Sequence, residues 1–290
     1  MAYLVPAVFA LFLWWFTTGV IFYLDSRPLH TFKWSMIGGT LMLIGAGVVL
    51  HQTANQTDVT GAYASFSAGL IAWGWQELSL YTGYVTGPRK VRCPQGCSGI
   101  KHFGHAIAAN LWHEIAIILV AVVLWFIIKD GENWFGFYTY VTLWGMHLSA
   151  RFNGFLGVRN VSVEFVPAHM DVLKSFLNEK PMNLLFPVSV TIATTGVICL
   201  VGRAADAEGE FALTGYALLA AMMGLALVEH WMLVIPFSVQ KLWSWSLPRS
   251  ALDLPQRRHP EDHHEFAAVP AHLPTTHDSH NCQSLTSGTR

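Results

Sequence analysis

Seven apolar runs recur along the chain, at residues 3–24, 32–50, 60–85, 105–128, 135–156, 182–201 and 211–236. Each comes close to the length, about 20 helical residues, that crossing a hydrocarbon core of about 30 Å requires. The third run, TGAYASFSAGLIAWGWQELSLYTGYV, and the fifth are the least apolar and carry polar groups. The pattern predicts an all-α, polytopic membrane helix bundle of about seven transmembrane helices. The first run lacks a basic leader, is too long for a signal-peptide core and passes into LDSRPLH rather than a small-residue cleavage site, so it is expected to be a retained helix.

Two polar stretches between runs are long enough to hold structure. GPRKVRCPQGCSGIKHFG, residues 87–104, is rich in Gly, Pro and basic residues. The stretch after the fifth run places Met170, Leu173, Phe176 and Leu177 at helical spacing within residues 167–177, which predicts a short amphipathic helix on the membrane surface. After residue 247 the chain turns polar and rich in Pro and His. Residues 1–247 therefore read as an integral membrane helical domain and 248–290 as a disordered cytoplasmic tail, whose histidines have no fixed geometry. The two halves show no matching pair of broken spans, which argues against an inverted-repeat transporter.

Composition sharpens the membrane reading: 53% of residues are hydrophobic and 12% charged, against about 25% charged in ordinary globular chains. With 17 Lys and Arg against 18 Asp and Glu, net charge gives no reason to expect a nucleic acid partner. Its distribution is informative. An outside N-terminus puts all of the 17 basic residues on one side except Lys129 and Arg203. The N-terminus is thus expected in the periplasm and the C-terminus in the cytoplasm. Trp14, Trp15, Trp34, Trp134, Trp243 and Trp245 lie towards span ends, as an interfacial belt would have them. Cys93, Cys97, Cys199 and Cys282 are too few and scattered for a disulfide framework.

Ionisable residues at membrane depth cost several kcal/mol unless paired or set on a polar cavity. Glu77, His113, Glu114, His147, Glu229 and His230 all fall in predicted spans. At the helical rise they share a layer roughly 9 to 14 Å below the cytoplasmic surface. Unpaired carboxylates brought together repel; a bound cation relieves this and suits mixed Glu and His ligands. The layer is therefore a candidate metal site, with Glu164 and His169 in VEFVPAHM able to close it from above. The alternative is a set of carboxylate–imidazole pairs that lock helices together. Cys93 and Cys97 followed by His102 and His105 offer two thiolates and two imidazoles, but the second pair is too close for the usual zinc-finger spacing. A basic turn facing anionic headgroups is the expectation there.

Several blocks, taken in order, resemble one family. WWFTTGVIFYLD, GAYASFSAGLIAWGWQELS, YVTGPR, the WHE segment, LSARFNGFLGVRN, PMNLLFPVSVT and LVEHWMLVIP are similar to motifs of the PuhE family, photosynthetic complex assembly protein 2 of phototrophic bacteria, over residues 1–247. The resemblance implies a multi-pass protein of the bacterial inner (photosynthetic, intracytoplasmic) membrane that assists assembly or accumulation of the reaction centre and light-harvesting complex. Its implied partners are membrane lipids, reaction-centre and antenna subunits, and other assembly factors. Glu77, His113, Glu114, Glu164, His169, Glu229 and His230 match the motif blocks, whereas Gln76 and Trp112 stand where the resemblance leads one to expect histidine. No catalytic residue carries over. Three readings compete: a non-enzymatic assembly factor, a bacteriochlorophyll-handling protein, and a membrane metalloenzyme with iron, manganese or zinc acting on a pigment, quinone or lipid. A shared site predicts the carboxylates of Glu77, Glu114 and Glu229 within about 8 Å of one another, with His113 and His230 turned inward.

Overall fold

A computed structural model describes residues 1–94, 96–161, 166–235, 242, 243, 245 and 246. Glu164 and the tail expected from residue 248 lie outside the described residues. Among the described residues there are seven α-helices: α1 (Leu4–Asp25), α2 (Phe32–Thr53), α3 (Val59–Tyr81), α4 (Gly99–Ile128), α5 (Phe135–Leu156), α6 (Leu185–Ala205) and α7 (Glu210–Met232). Two 3-10 segments, Leu29–Thr31 and Ala168–Phe176, accompany them, and the described residues hold no strand.

Five helices are long and apolar enough to cross a membrane: Leu4–Asp25, Leu29–Thr53, Gly99–Ile128, Leu185–Ala205 and Glu210–Met232. The seven spans expected from the sequence thus reduce to five on this criterion. α3 and α5 have the length, 23 and 22 residues, without the apolarity. Their position explains it. α3 packs on α1, α2, α4, α5 and α7 and buries Ser65, Gln76 and Ser79 beside Phe66 and Ala72. A helix surrounded by other helices gains from small and hydrogen-bonding groups, not from an apolar coat. The coat belongs to the outer helices, which expose Phe12, Leu41, Leu119, Phe126 and Ile198.

α3 and α5 approach so closely that a Cβ on Gly69 would lie 2.1 Å from the Gly136 carbonyl oxygen. The Gly136 N–H donates to Ser65 Oγ at 2.8 Å across the same contact. Nearer the other end, Gln76 Nε2 donates to the Tyr140 hydroxyl at 2.8 Å, and that hydroxyl donates to Ile117 O at 3.0 Å. Three helices are tied by one short chain of buried hydrogen bonds, which is strong where water cannot compete.

Helix boundaries agree with the apolar runs to within four residues except at the start of α4, which begins at Gly99 rather than 105. Its first turns project past the end of α3, giving later segments a surface to pack on. α3 itself stops at Tyr81, where Thr82 Oγ1 bonds back to Leu78 O and Gly83 takes φ +79. Glu77 is thereby only one turn from the end of its helix. The following loop returns against α4: a Cβ on Gly87 would meet Ala108 O at 2.1 Å, and the His113 N–H donates to Thr86 O at 2.8 Å.

The amphipathic helix expected over 167–177 is instead the 3-10 segment Ala168–Phe176, with Met170 outside helical dihedrals. Its apolar side faces protein rather than lipid, because the projecting turns of α4 offer Ala106 and Ala109, against which Phe176 packs together with Phe155. Trp14 and Trp15, deep in the first run for an interfacial belt, have partners within the protein. Trp14 meets the Trp243 ring edge-on at 5.3 Å, Trp15 Nε1 donates to Leu242 O at 2.8 Å, and Trp243 Nε1 donates to Trp15 O at 3.0 Å. Residues 242 and 243 thus lie against α1.

Candidate functional site

The last turns of α3, the middle of α4 and the second half of α5 bring ionisable side chains together. On α5, His147 and Arg151 stand four residues apart and share a face. His147 Nδ1 lies 3.2 Å from Glu77 Oε1 of α3. Arg151 donates through Nη2 to His147 Nε2 and through Nη1 to Glu114 Oε1 of α4. Trp144 Nε1 adds a contact to Glu114 Oε2 at 3.4 Å. The result is a continuous chain, Glu114, Arg151, His147, Glu77, that crosses three helices.

Protonation in this chain follows from its donors. A guanidinium only donates, so His147 Nε2 accepts and a neutral ring carries its proton on Nδ1, facing the Glu77 carboxylate. Nε2 is then engaged, while Nδ1 faces Glu77 Oε1, itself buried with no hydrogen-bond partner among the described residues. The Trp73 ring packs on His147 at 5.2 Å and holds its orientation.

His113 differs from all of these. It is 0% exposed, and neither ring nitrogen has a hydrogen-bond partner among the described residues. Its ring centroid is 6.2 Å from that of His147. One ligand atom each from Glu77, His113 and His147 fit within 4.8 Å of one another. Two imidazoles and one carboxylate are a donor set suited to iron, manganese or zinc. An unsatisfied buried imidazole costs free energy unless something occupies it. In the geometry seen, however, His147 would have to release Arg151 or its own proton before it could coordinate.

Beside the cluster lies a cavity of about 410 Å³ lined by Glu77, His147, Arg151 and Glu229 among mainly apolar side chains, including Trp73, Leu143, Phe155, Leu177 and Trp243. Glu229 of α7 thus joins the site as a wall of the cavity rather than as a member of the ion-pair chain.

The remaining candidates are placed elsewhere. His230 is buried with Nδ1 donating to Ala226 O at 2.9 Å and Nε2 lying 2.9 Å from Ser149 Oγ. Ser149, Ser189 and Asn153 continue that network between α5 and α6. These contacts join α7 to α5 and α6. His169 is exposed, donates to Tyr81 O at 2.8 Å and rests on the Phe32 ring. Glu164 lies outside the described residues.

Sequence reasoning missed Arg151, which it counted only among the basic residues that set orientation. A His147-x-x-x-Arg151 pair in the last turns of a predicted span carried the signal, since opposite ends of one turn present both groups to the same neighbours. Arg151 also changes the premise for a metal. It already supplies one positive charge to the carboxylates that a cation was invoked to neutralise.

The profile of the family described as "Protein of unknown function (DUF3623)" matches residues 1–253, and the chain belongs to that family. It is 39% identical over 252 residues to an "Uncharacterized 30.4 kDa protein in puhA 5'region" of Rhodobacter capsulatus, covering 83% of this chain and 90% of the relative. A shorter similarity, 27% over 74 residues, links 25% of this chain to 40% of a UPF0316 protein of Bacillus mycoides (strain KBAB4). No solved structure matches the chain.

Proposed function

We propose that this member of the DUF3623 family is an integral membrane factor, of the PuhE type, that assists assembly or accumulation of the bacterial photosynthetic reaction centre and its light-harvesting antenna. The observation that carries the reading is its similarity, over 83% of its length, to a protein encoded in the puhA 5' region of a phototroph. In this reading the chain crosses the inner, photosynthetic membrane seven times, with a periplasmic N-terminus and residues 248–290 as a cytoplasmic tail. The length of α3 and α5, and the enclosure of α3 by other helices, support counting both as spans. The Glu114–Arg151–His147–Glu77 chain then acts as a polar lock that fixes the register of three helices.

Partners are membrane lipids, and reaction-centre or antenna subunits or further assembly factors that pack on the outer helices. α2 suits that role. Gly38 and Gly45, one heptad apart, have open space where a side chain would stand, beside exposed Trp34, Leu41 and Met42. Gly39 and Gly47 instead lie against Leu78 and Ile127 within the bundle. A Rhodobacter capsulatus strain lacking the 39%-identical relative tests the reading. Near-infrared absorbance of its membranes should show depleted reaction centre and antenna, restored by this chain. Unchanged spectra under phototrophic growth would sink it.

His113 favours a second reading, a metal held by Glu77, His113 and His147. Three carboxylates, Glu77, Glu114 and Glu229, stand against the single guanidinium of Arg151, and a divalent cation would complete the neutralisation. A bacteriochlorophyll magnesium needs an imidazole open on one side; His113, at 0% exposed, is closed to a macrocycle. The pigment-handling reading therefore falls to His147, which lines the cavity. Protein purified in mild detergent discriminates. Iron, manganese or zinc absent from Glu77→Gln and His113→Ala supports the metal, far-red absorption lost in His147→Ala supports the pigment, and neither leaves the polar lock alone.

A further inference from the structure

The second candidate ligand cluster sits outside the helix-spanning site. The loop after α3 carries Cys93 and Cys97, and the first turns of α4 carry His102 and His105. Cys93 Sγ lies 3.2 Å from His102 Nδ1 and 3.5 Å from His105 Nδ1, and Cys97 Sγ lies 3.4 Å from His105 Nδ1. With metal–sulfur and metal–nitrogen bonds of the lengths zinc prefers, adjacent ligands of a tetrahedron stand about 3.5 Å apart. These three sulfur–nitrogen separations match that edge, with His105 reaching the group through the two sulfurs. Cys93, Cys97 and His102 also offer ligand atoms that all lie within 4.8 Å of one another.

The short linear spacing, which argued against zinc, has a local cause. Gly96 and Gly99 take φ values of +77 and +63, a region open to glycine, and fold the thiol-bearing turn back onto the helix it precedes. On that helix, His102 and His105 are three residues apart and share a face. Two turns of backbone thus do what a longer linker does in a finger.

His102 is also oriented from behind. Its Nε2 lies 3.1 Å from Phe176 O, and a carbonyl only accepts, so Nε2 carries the proton and Nδ1 turns a free lone pair toward Cys93. A backbone carbonyl on the far nitrogen is the usual support of a metal-bound imidazole. Two nearby cations are engaged elsewhere, Arg92 with Asp171 and Lys90 with Thr86 Oγ1, while Arg89 and Lys101 remain close to Cys93 and His105.

We propose that Cys93, Cys97, His102 and His105 form a structural zinc site. Two thiolates and two imidazoles in tetrahedral array take zinc in preference to harder cations. Bound there, zinc joins three pieces of the same end of the bundle: the loop after α3, the start of α4 and the Ala168–Phe176 segment. The last is engaged through Phe176 O and through the Cys93 N–H, which donates to Ser175 Oγ at 3.0 Å. The site is independent of the Glu77 cluster and of the assembly reading.

The test uses the full chain in mild detergent, treated with chelator and reloaded with cobalt or zinc. Cobalt should produce thiolate-to-metal absorption, lost in Cys93→Ser and in His102→Gln and retained in Glu77→Gln. That signal reports sulfur ligation only, so it separates this site from a metal on Glu77. Because a variant can misfold, wild-type thiols supply the second measurement. Zinc should abolish alkylation of Cys93 and Cys97 while Cys199 and Cys282 react as before. Folded protein that shows no thiolate absorption, thiols alkylated equally with and without zinc, or a Cys93–Cys97 disulfide trapped at cell lysis would each overturn the proposal. Equal alkylation in particular would mean that the contacts are thiol–imidazole hydrogen bonds and nothing more.

Discussion

The His113 cluster and the Cys93 cluster lie at the same end of the bundle and draw on similar ligand types, yet fixed charge treats them oppositely. Around His113, the Arg151 guanidinium is inserted among the would-be ligands and occupies Glu114 and His147. Around Cys93, Arg92 is drawn off to Asp171 and the lone pair of His102 is left facing sulfur. Donor type is shared; what differs is whether the lone pairs are already engaged. A helix bundle can use imidazole and carboxylate as its own cross-links, whereas two thiols have little to offer a helix lock except to a soft metal.

Breaking the first cluster should cost most at Arg151. Arg151→Met leaves half-buried Glu114 without its partner and should lower stability by about 3 kcal/mol, read as earlier thermal unfolding in detergent. A variant as stable as its parent would show that the guanidinium does not organise the three helices. Next comes Gly69→Ala, where the added methyl meets the Gly136 carbonyl and forces α3 and α5 apart, at about 1–3 kcal/mol by the same measurement.

His230→Ala sharpens the comparison differently. It removes two hydrogen bonds and should cost about 1–3 kcal/mol while leaving metal content untouched, because both ring nitrogens of His230 are engaged by Ala226 and Ser149. Metal lost along with His230 would place that residue in the site after all. The smallest effect is expected at exposed His169, where alanine should shift stability by about 0.5 kcal/mol and change neither metal signal.

Helix number and placement were legible in the sequence because lipid selects long apolar runs with little regard to detail. α4 escaped at its start, since GIKHFG is polar, and a helix leaving the membrane stops showing the apolar pattern while remaining helical. Depth identified His113, His147 and Glu77 as candidates to meet, but depth says nothing about azimuth. His230 shares the layer and faces Ser149 instead. Arg151 was legible only as a charge near a span end; that it turns inward depends on Glu114 arriving from another helix. The thiol cluster was hidden for a further reason: residue counts between ligands measure contour length, and two positive-φ glycines shorten the real path.

The contact of residues 242 and 243 with α1 sets an order in time. Trp243 walls the cavity, packs on Trp14 and donates to Trp15 O, so a segment made early waits for one made 228 residues later. Until residues 242 and 243 emerge, the Trp15 indole N–H has no Leu242 carbonyl to reach and the cavity stands open on that side. Synthesis therefore passes through a stage in which α1 to α7 all exist and the chamber beside Glu77 is still unsealed.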